Sequence, residues 1–212
     1  AAATADKLAD PKGAFRWWRR AHDEAPDEHT LADVRRAGEA YGLWRELAEV
    51  VTDERKRLIS LSGASGGPAE PARYVVLSRE LAGNYERRLG EKPRAFTVFA
   101  EALHVAPRDG SLLGELDRLA SELDQRPTWK SLLEGYDTAL AAATPPERVD
   151  LYLRRAKILE EKLNDPKGAV SDVLQAFSWA PDRDDTRDVL VALATKARAW
   201  PDVIAVDSAL VE

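Results

Sequence analysis

One short pattern occurs three times in this chain, gapless within each copy, and it constrains the fold more than any other feature. Ala14, Trp18, Ala21, Ala25 and Pro26 are matched by Ala95, Phe99, Ala102, Ala106 and Pro107, and again by Ala169, Val173, Ala176, Ala180 and Pro181. Each copy reads small, large apolar, small, then alanine-proline. Recurrence at fixed spacing means that one supersecondary unit is repeated and that the fold is an array of it. Upstream, Leu8, Leu89 and Leu163 lie beside Asp10-Pro11, Lys92-Pro93 and Asp165-Pro166. An acidic cap followed by proline in the first turn is a helix start. Downstream, Trp44 with Leu47, Trp129 with Leu132 and Trp200 with Val203 open a further amphipathic helix in each copy.

The copies are offset by 81 and then 74 residues, from 14 to 95 and from 95 to 169. That is too long for one helical hairpin and right for two, so each copy holds four helices. The longer first interval contains Gly63-Ala64-Ser65-Gly66-Gly67-Pro68, which cannot continue a helix and reads as a loop. Apolar residues return at three and four, as in Leu77, Leu81, Tyr85 and Leu89 or Leu151, Ile158, Leu159 and Leu163, which is the helical period. Small residues at Ala14 and Ala21 let a neighbouring helix approach while Trp18 fills the groove between two helices. No single hairpin buries both of its apolar faces, so each leans on the next.

The expected architecture is an all-α solenoid of stacked antiparallel hairpins. It forms one repeat domain over residues 1–212, with copies at about 1–60, 72–142 and 146–212 and a loop at 61–71. The chain begins in what would be a last helical turn near Leu8 and ends in a helix bearing Val203, Ile204, Val206, Leu210 and Val211. Neither end reads as a polar capping repeat. Together with the absence of methionine, this suggests a piece of a longer array, able to self-associate through its uncapped ends.

Composition excludes several function classes. A net charge of −6 argues against a sequence-independent grip on nucleic acid, which needs an excess of Lys and Arg. No cysteine means no disulfide, thiolate metal site or thiol nucleophile. No stretch approaches a membrane span, and Ala1 to Lys7 lacks the regions of a signal peptide, so cytoplasm and periplasm are both allowed. The excess of Arg over Lys, 22 to 9, with abundant Ala points to a GC-rich bacterial genome.

The order small, aromatic, small, proline resembles the second helix of a tetratricopeptide repeat. All three copies keep its spacing, while the first-helix positions are carried only by Ala82 and Tyr85 and by Ala156 and Leu159, with a turn one residue longer. Half-a-tetratricopeptide arrays are similar too. The resemblance implies a right-handed superhelix and a non-catalytic scaffold binding a protein or peptide, with no cofactor. It also implies a concave groove lined by the first helix of each hairpin, presenting Arg79, Glu86 and Arg87, then Arg118 and Glu122, then Asp150, Lys157 and Glu160. Chaperone-binding members hold a terminal carboxylate with paired asparagines and lysines; only Asn84 and Asn164 are present here. The alternatives are an RNA-associated array using Arg16 to Arg20 and Arg55-Lys56-Arg57, or a non-catalytic arm of a larger multidomain protein.

Catalytic chemistry finds little support. His22, His29 and His104 never pair at the spacing of two metal ligands on one helical face, and surface or helix-end roles are expected for them. The glycine cluster is followed by Pro68 and Ala69 where a phosphate-cradling loop needs Lys and Ser or Thr. Adjacent carboxylates such as Glu160-Glu161 and Asp184-Asp185 point in different directions on a helix. In Phe15-Arg16-Trp17-Trp18-Arg19-Arg20, Trp18 fills the repeat's large slot, whereas Trp17 matches nothing and is a candidate for exposure.

Overall fold

The computed structural model describes residues 10–61, 67–197 and 200. Among them lie ten α-helices and no strand: α1 (Pro11–Glu24), α2 (Glu28–Tyr41), α3 (Trp44–Ser60), α4 (Pro71–Arg87), α5 (Lys92–Val105), α6 (Gly110–Leu123), α7 (Arg126–Ala142), α8 (Pro145–Glu161), α9 (Pro166–Trp179) and α10 (Asp184–Ala197). Their lengths run 14, 14, 17, 17, 14, 14, 17, 17, 14 and 14 residues. The four-helix period is therefore visible in length alone. Leu8, residues 63–66 of the glycine cluster and the apolar run from Val203 lie outside the described residues.

Two kinds of turn alternate. After α2, α4, α6 and α8 the chain reverses through a left-handed residue: Gly42 at φ 67°, Gly90 at 68°, Asp124 at 43° and Asn164 at 55°. Glycine reaches that region freely, and Asn and Asp are the side chains that tolerate it best. The N–H of Glu91 donates to the Tyr85 carbonyl at 2.7 Å, and that of Asp165 to the Leu159 carbonyl at 2.8 Å, closing the ends of α4 and α8 alike. After α1, α5 and α9 the stop is alanine-proline instead, at Pro26, Pro107 and Pro181, where proline cannot donate into another helical turn. Side-chain caps restart the helices. Asp10 accepts from the Gly13 N–H at 2.9 Å, Asp165 from Gly168 at 3.0 Å and Asp27 from Thr30 at 2.7 Å.

The chain divides into two compact units, Ala1–Val98 and Phe99–Glu212. In the first, α1 packs on α2, α2 on α3 and α3 on α4; in the second, α6 to α10 pack each on the next. Short turns make such neighbours antiparallel. This is the all-helical fold of antiparallel hairpins expected from the repeat. Ala14, Ala95, Ala102, Ala169 and Ala176 are buried in their slots, as are Phe99 and Val173, while Trp18 and Ala21 are only half-buried. A further buried position stands one residue after the first alanine, at Phe15, Phe96 and Val170.

The recurring tryptophans do specific work in their turns. The Arg88 guanidinium lies 4.3 Å over the Trp44 ring, and the Lys162 ammonium 4.9 Å over Trp129. Arg88 and Lys162 hold the same position, just past the ends of α4 and α8, so each unit repeats one cation–π clasp. The Trp129 indole N–H also donates to Asp124 at 3.0 Å, fixing the strained left-handed residue.

Candidate partner-binding surface

The even-numbered helices are the first helices of their hairpins, the helices on which the tetratricopeptide resemblance implies a partner-binding surface. The structure puts Arg79 and Glu86 half-buried on α4 and leaves Arg87 exposed at its end. Arg118 on α6 is held between Glu115 at 2.6 Å and Glu122 at 2.7 Å. On α8, Lys157 is exposed, Asp150 pairs with Arg183 at 2.8 Å and Glu160 with Lys196 at 2.6 Å. The last two pairs tie α8 to the start and end of α10. Such exposed pairs contribute little stability each.

In the first unit α2 is tied to α4 by a pair that the sequence did not single out. Arg35 on α2 grips Glu80 on α4 through Nε at 2.9 Å and Nη2 at 2.7 Å, and its other amino group reaches Glu28. Burial works against the Arg35 charge, yet the hydrogen bonds it donates to Glu80 and Glu28 outweigh it and hold the guanidinium above its ordinary pKa. These partners are 45 residues apart, and no local pattern marks them.

The two asparagines a carboxylate clamp would need are engaged elsewhere. Asn84 donates to the Trp44 carbonyl at 2.8 Å, and Asn164 forms the left-handed turn after α8.

Beneath this surface the two units differ at one matched junction. Asp27 with Asp109, Trp44 with Trp129 and Ala82 with Ala156 register α2, α3 and α4 in sequence with α6, α7 and α8. In the first unit Glu54 is 2% exposed and is held by Arg57 at 2.6 Å and Arg73 at 2.8 Å, with His22 Nε2 at 3.7 Å. The hydrogen bond from Arg57 lowers the Glu54 pKa against the opposing effect of burial, and Arg73 and His22 add to it. The other ring nitrogen of His22 meets the Thr30 hydroxyl at 2.9 Å, and Arg55 donates to the Tyr74 hydroxyl at 2.7 Å. His22 lies in the last turn of α1, the helix-end role expected of it, but is buried at 4% exposure; His29 and His104 are exposed.

In the second unit the matched positions are apolar: Leu103 for His22, Leu112 for Thr30, Ala139 for Glu54 and Leu140 for Arg55. Ala143 also replaces Leu58. A cavity of about 210 Å³ lies over Leu113, Ala139, Ala143 and Leu151, rimmed by Glu147 and Asp150 and by Arg108 and Arg154. Leu77 is fully buried in the first unit, whereas its counterpart Leu151 is half-exposed at the cavity. Beside it, the Tyr136 hydroxyl donates to Asp117 at 3.0 Å. Burial raises the Asp117 pKa, with the Tyr136 bond and the Arg154 charge acting the other way.

Among the described residues no three His, Asp or Glu side chains gather as a metal site requires, and no helix is long and apolar enough to cross a membrane.

Two solved structures are similar to this chain. A thermophilic tetratricopeptide protein of Thermus thermophilus, TTC0263, shares 20% identity over 91% of this chain and 95% of its own, with a TM-score of 0.38. The TPR2AB domain of yeast Sti1, in its complex with pHSP90, shares 14% identity over 97% of this chain and 89% of its own, with a TM-score of 0.35. The sequence matches no protein-family profile and no curated protein.

Proposed function

We propose that this protein is a non-catalytic scaffold that binds a protein or peptide partner along its even-numbered helices. The observation that carries this reading is the contrast between recurrence and variation. Packing residues repeat in register: the alanine slots, the left-handed turns and the tryptophan clasps. Charged residues on matched even-numbered helices mostly differ: Arg79 is matched by Leu153, Arg87 by Glu161, Lys157 by Gly83 and Glu122 by Ala40, while Glu86 and Glu160 agree. A surface that meets different parts of one extended partner has this character, whereas an enzyme needs a converging set of reactive groups in one place. The four-helix copies serve as modules of that surface.

The test is affinity capture from a lysate of the source organism, with wild-type protein beside the triple variant Arg87→Glu, Arg118→Glu, Lys157→Glu. The expected result is a small set of proteins retained after nuclease treatment and lost with the variant. Retention that vanishes with nuclease or modest salt would transfer the surface to RNA. Identical retention by both proteins would remove the even-numbered helices from the binding site.

A further inference from the structure

The tryptophan clasp of the second unit contains an acceptor that the first unit lacks. The Asp124 carboxylate, on the left-handed residue that follows α6, accepts from the Trp129 indole N–H at 3.0 Å and from Lys162 at 3.1 Å. In the first unit the left-handed residue that follows α2 is Gly42, which has no side chain to offer. Arg88 still lies 4.3 Å over the Trp44 ring. Among the described residues, however, neither the Arg88 guanidinium nor the Trp44 indole N–H meets a hydrogen-bond acceptor. Gly42 marks where the missing acceptor belongs. A Cβ placed on it would stand 3.8 Å from Trp44 Nε1 in otherwise open space, so a carboxylate at this point reaches the indole N–H as Asp124 does.

We infer that this turn is a carboxylate-binding site, in which the Trp44 indole N–H and the Arg88 guanidinium hold an acidic side chain of the partner as the second unit holds its own Asp124. Naming the partner as the source rests on the scaffold reading above; the two open donors do not. The site is built ahead of its ligand. Asn84 fixes the start of α3 against α4 by donating to the Trp44 carbonyl at 2.8 Å, and the ring beneath Arg88 holds its planar fork in place. Little freedom is then lost when a carboxylate arrives. The neighbouring acids leave the position open: Glu91 is committed to Arg45 at 2.8 Å and Arg94 at 2.7 Å, and Glu46 pairs with neither donor. Arg87, exposed beside Arg88, adds positive charge. Trp17 is more exposed, at 71%, but its neighbours Arg16 and Arg20 are already paired with Asp10 and Glu24, so it has no comparable pair of open donors.

The indole N–H signals of a proton–nitrogen correlation spectrum read the site directly, with Trp44 and Trp129 identified by their loss in Trp44→Phe and Trp129→Phe. The probe is a blocked tripeptide of acidic residues, added at neutral pH and fixed ionic strength; the corresponding amide tripeptide and inorganic phosphate are separate arms. The Trp44 signal is expected to move saturably with the acidic tripeptide and not with the amide. The Trp129 signal is expected to stay, because Asp124 already occupies its donors. Arg88→Gln should weaken the Trp44 response about tenfold. Gly42→Asp supplies the internal carboxylate on a residue type that tolerates the turn, and should move the Trp44 signal without peptide and abolish the titration. If that variant disturbs the fold, Asp124→Gly is the converse, and should make Trp129 begin to respond. A Trp44 signal that ignores the acidic tripeptide, follows the amide equally, or moves only with phosphate would overturn the inference, as would an undiminished titration in a folded Gly42→Asp. Proteins captured from lysate with no response at Trp44 would keep the scaffold and remove this site; a response at Trp44 with nothing captured would do the reverse.

Discussion

The junction of α1 to α4 and the junction of α5 to α8 are built from helices of the same lengths in the same register, yet one holds a buried ion cluster and the other a partly open apolar core. The first places Glu54 among Arg57, Arg73 and His22; the second replaces Glu54 by Ala139 and His22 by Leu103. The repeat therefore specifies helix length, turn type and the alanine contacts, but not what fills the space between hairpins. Either filling is compatible with the same backbone because the alanine slots and left-handed turns set the spacing on their own. A charged filling is strong evidence of neither extra stability nor weakness, since desolvation offsets most of what the ion pairs contribute.

The largest expected effect tests that statement directly. Glu54→Ala leaves Arg57, Arg73 and His22 around a vanished carboxylate and is expected to cost about 3–4 kcal/mol in urea unfolding, the range for breaking a buried pair. Installing the second unit's residues together, as His22→Leu, Thr30→Leu, Glu54→Ala and Arg55→Leu, is expected to recover most of that loss. A quadruple variant as unstable as Glu54→Ala would show that the first junction depends on its ions and that the matched register is coincidental.

The same slot is closed in one unit and open in the other, which supplies a second test. Ala102 is completely buried, and Ala102→Arg is expected to cost about 2–3 kcal/mol by overpacking. Ala21, its half-buried counterpart, is expected to accept arginine within about 0.5 kcal/mol, as surface positions do. Equal melting temperatures for Ala102→Arg and wild type would remove the registered repeat from the account of the fold.

Much of this architecture was legible in the sequence, and the boundary of legibility has a physical cause. The alanine slots, proline stops and tryptophan-led helices are local, carried by residues within one helix or turn, so their spacing survives translation into structure. The environment of His22 was not legible, because it is set by Thr30 on α2, Glu54 on α3 and Arg73 on α4, each reached only once the hairpins stack. The Arg35–Glu80 grip on the candidate surface is hidden for the same reason. Trp17 was visible as an unmatched residue, but the cavity was not, since its lining comes from residues of α6, α7 and α8 and the turns between them. The candidate groove residues were placed by resemblance, and several of them turn out to pair with neighbouring helices, as Asp150 does with Arg183.

Acid should separate the two units further, because their buried carboxylates are shifted in opposite directions. Asp172 on α9 is raised to about 6 by burial, with the Arg155 charge opposing and Asp137 and Asp165 adding to the rise. A raised carboxyl favours the protonated folded state, so the second unit is expected to gain roughly 2 kcal/mol as pH falls from about 6 towards 4. Glu54 is lowered, so its contribution is complete above the ordinary carboxylate range and is lost as pH falls through its folded value below 4.5. Amide hydrogen exchange at pH 6 and pH 4.5 should show protection rising across α8 and α9 without a matching gain in α1 and α3. Asp172→Asn should abolish that rise. Protection that falls in both units together would mean that the two junctions do not differ in the way their residues indicate.

The smallest expected effect concerns the one device that both units share. The clasps of Arg88 on Trp44 and Lys162 on Trp129 lie at partly exposed helix ends, where a cation over an aromatic face contributes about 0.5–1 kcal/mol. Arg88→Gln and Lys162→Gln are each expected to cost about 0.5 kcal/mol by thermal unfolding. Lys162 has a second partner in Asp124 at 3.1 Å, and that carboxylate, held low chiefly by the Lys162 hydrogen bond and then by the Trp129 indole, also sits on a left-handed residue. Lys162→Gln is therefore expected to cost slightly more than Arg88→Gln, and adding Asp124→Gly should cancel the excess by relieving the turn that the clasp supports. If the two single variants cost the same and glycine at Asp124 changes nothing, the clasp is only a ring contact, and the turn stands without it.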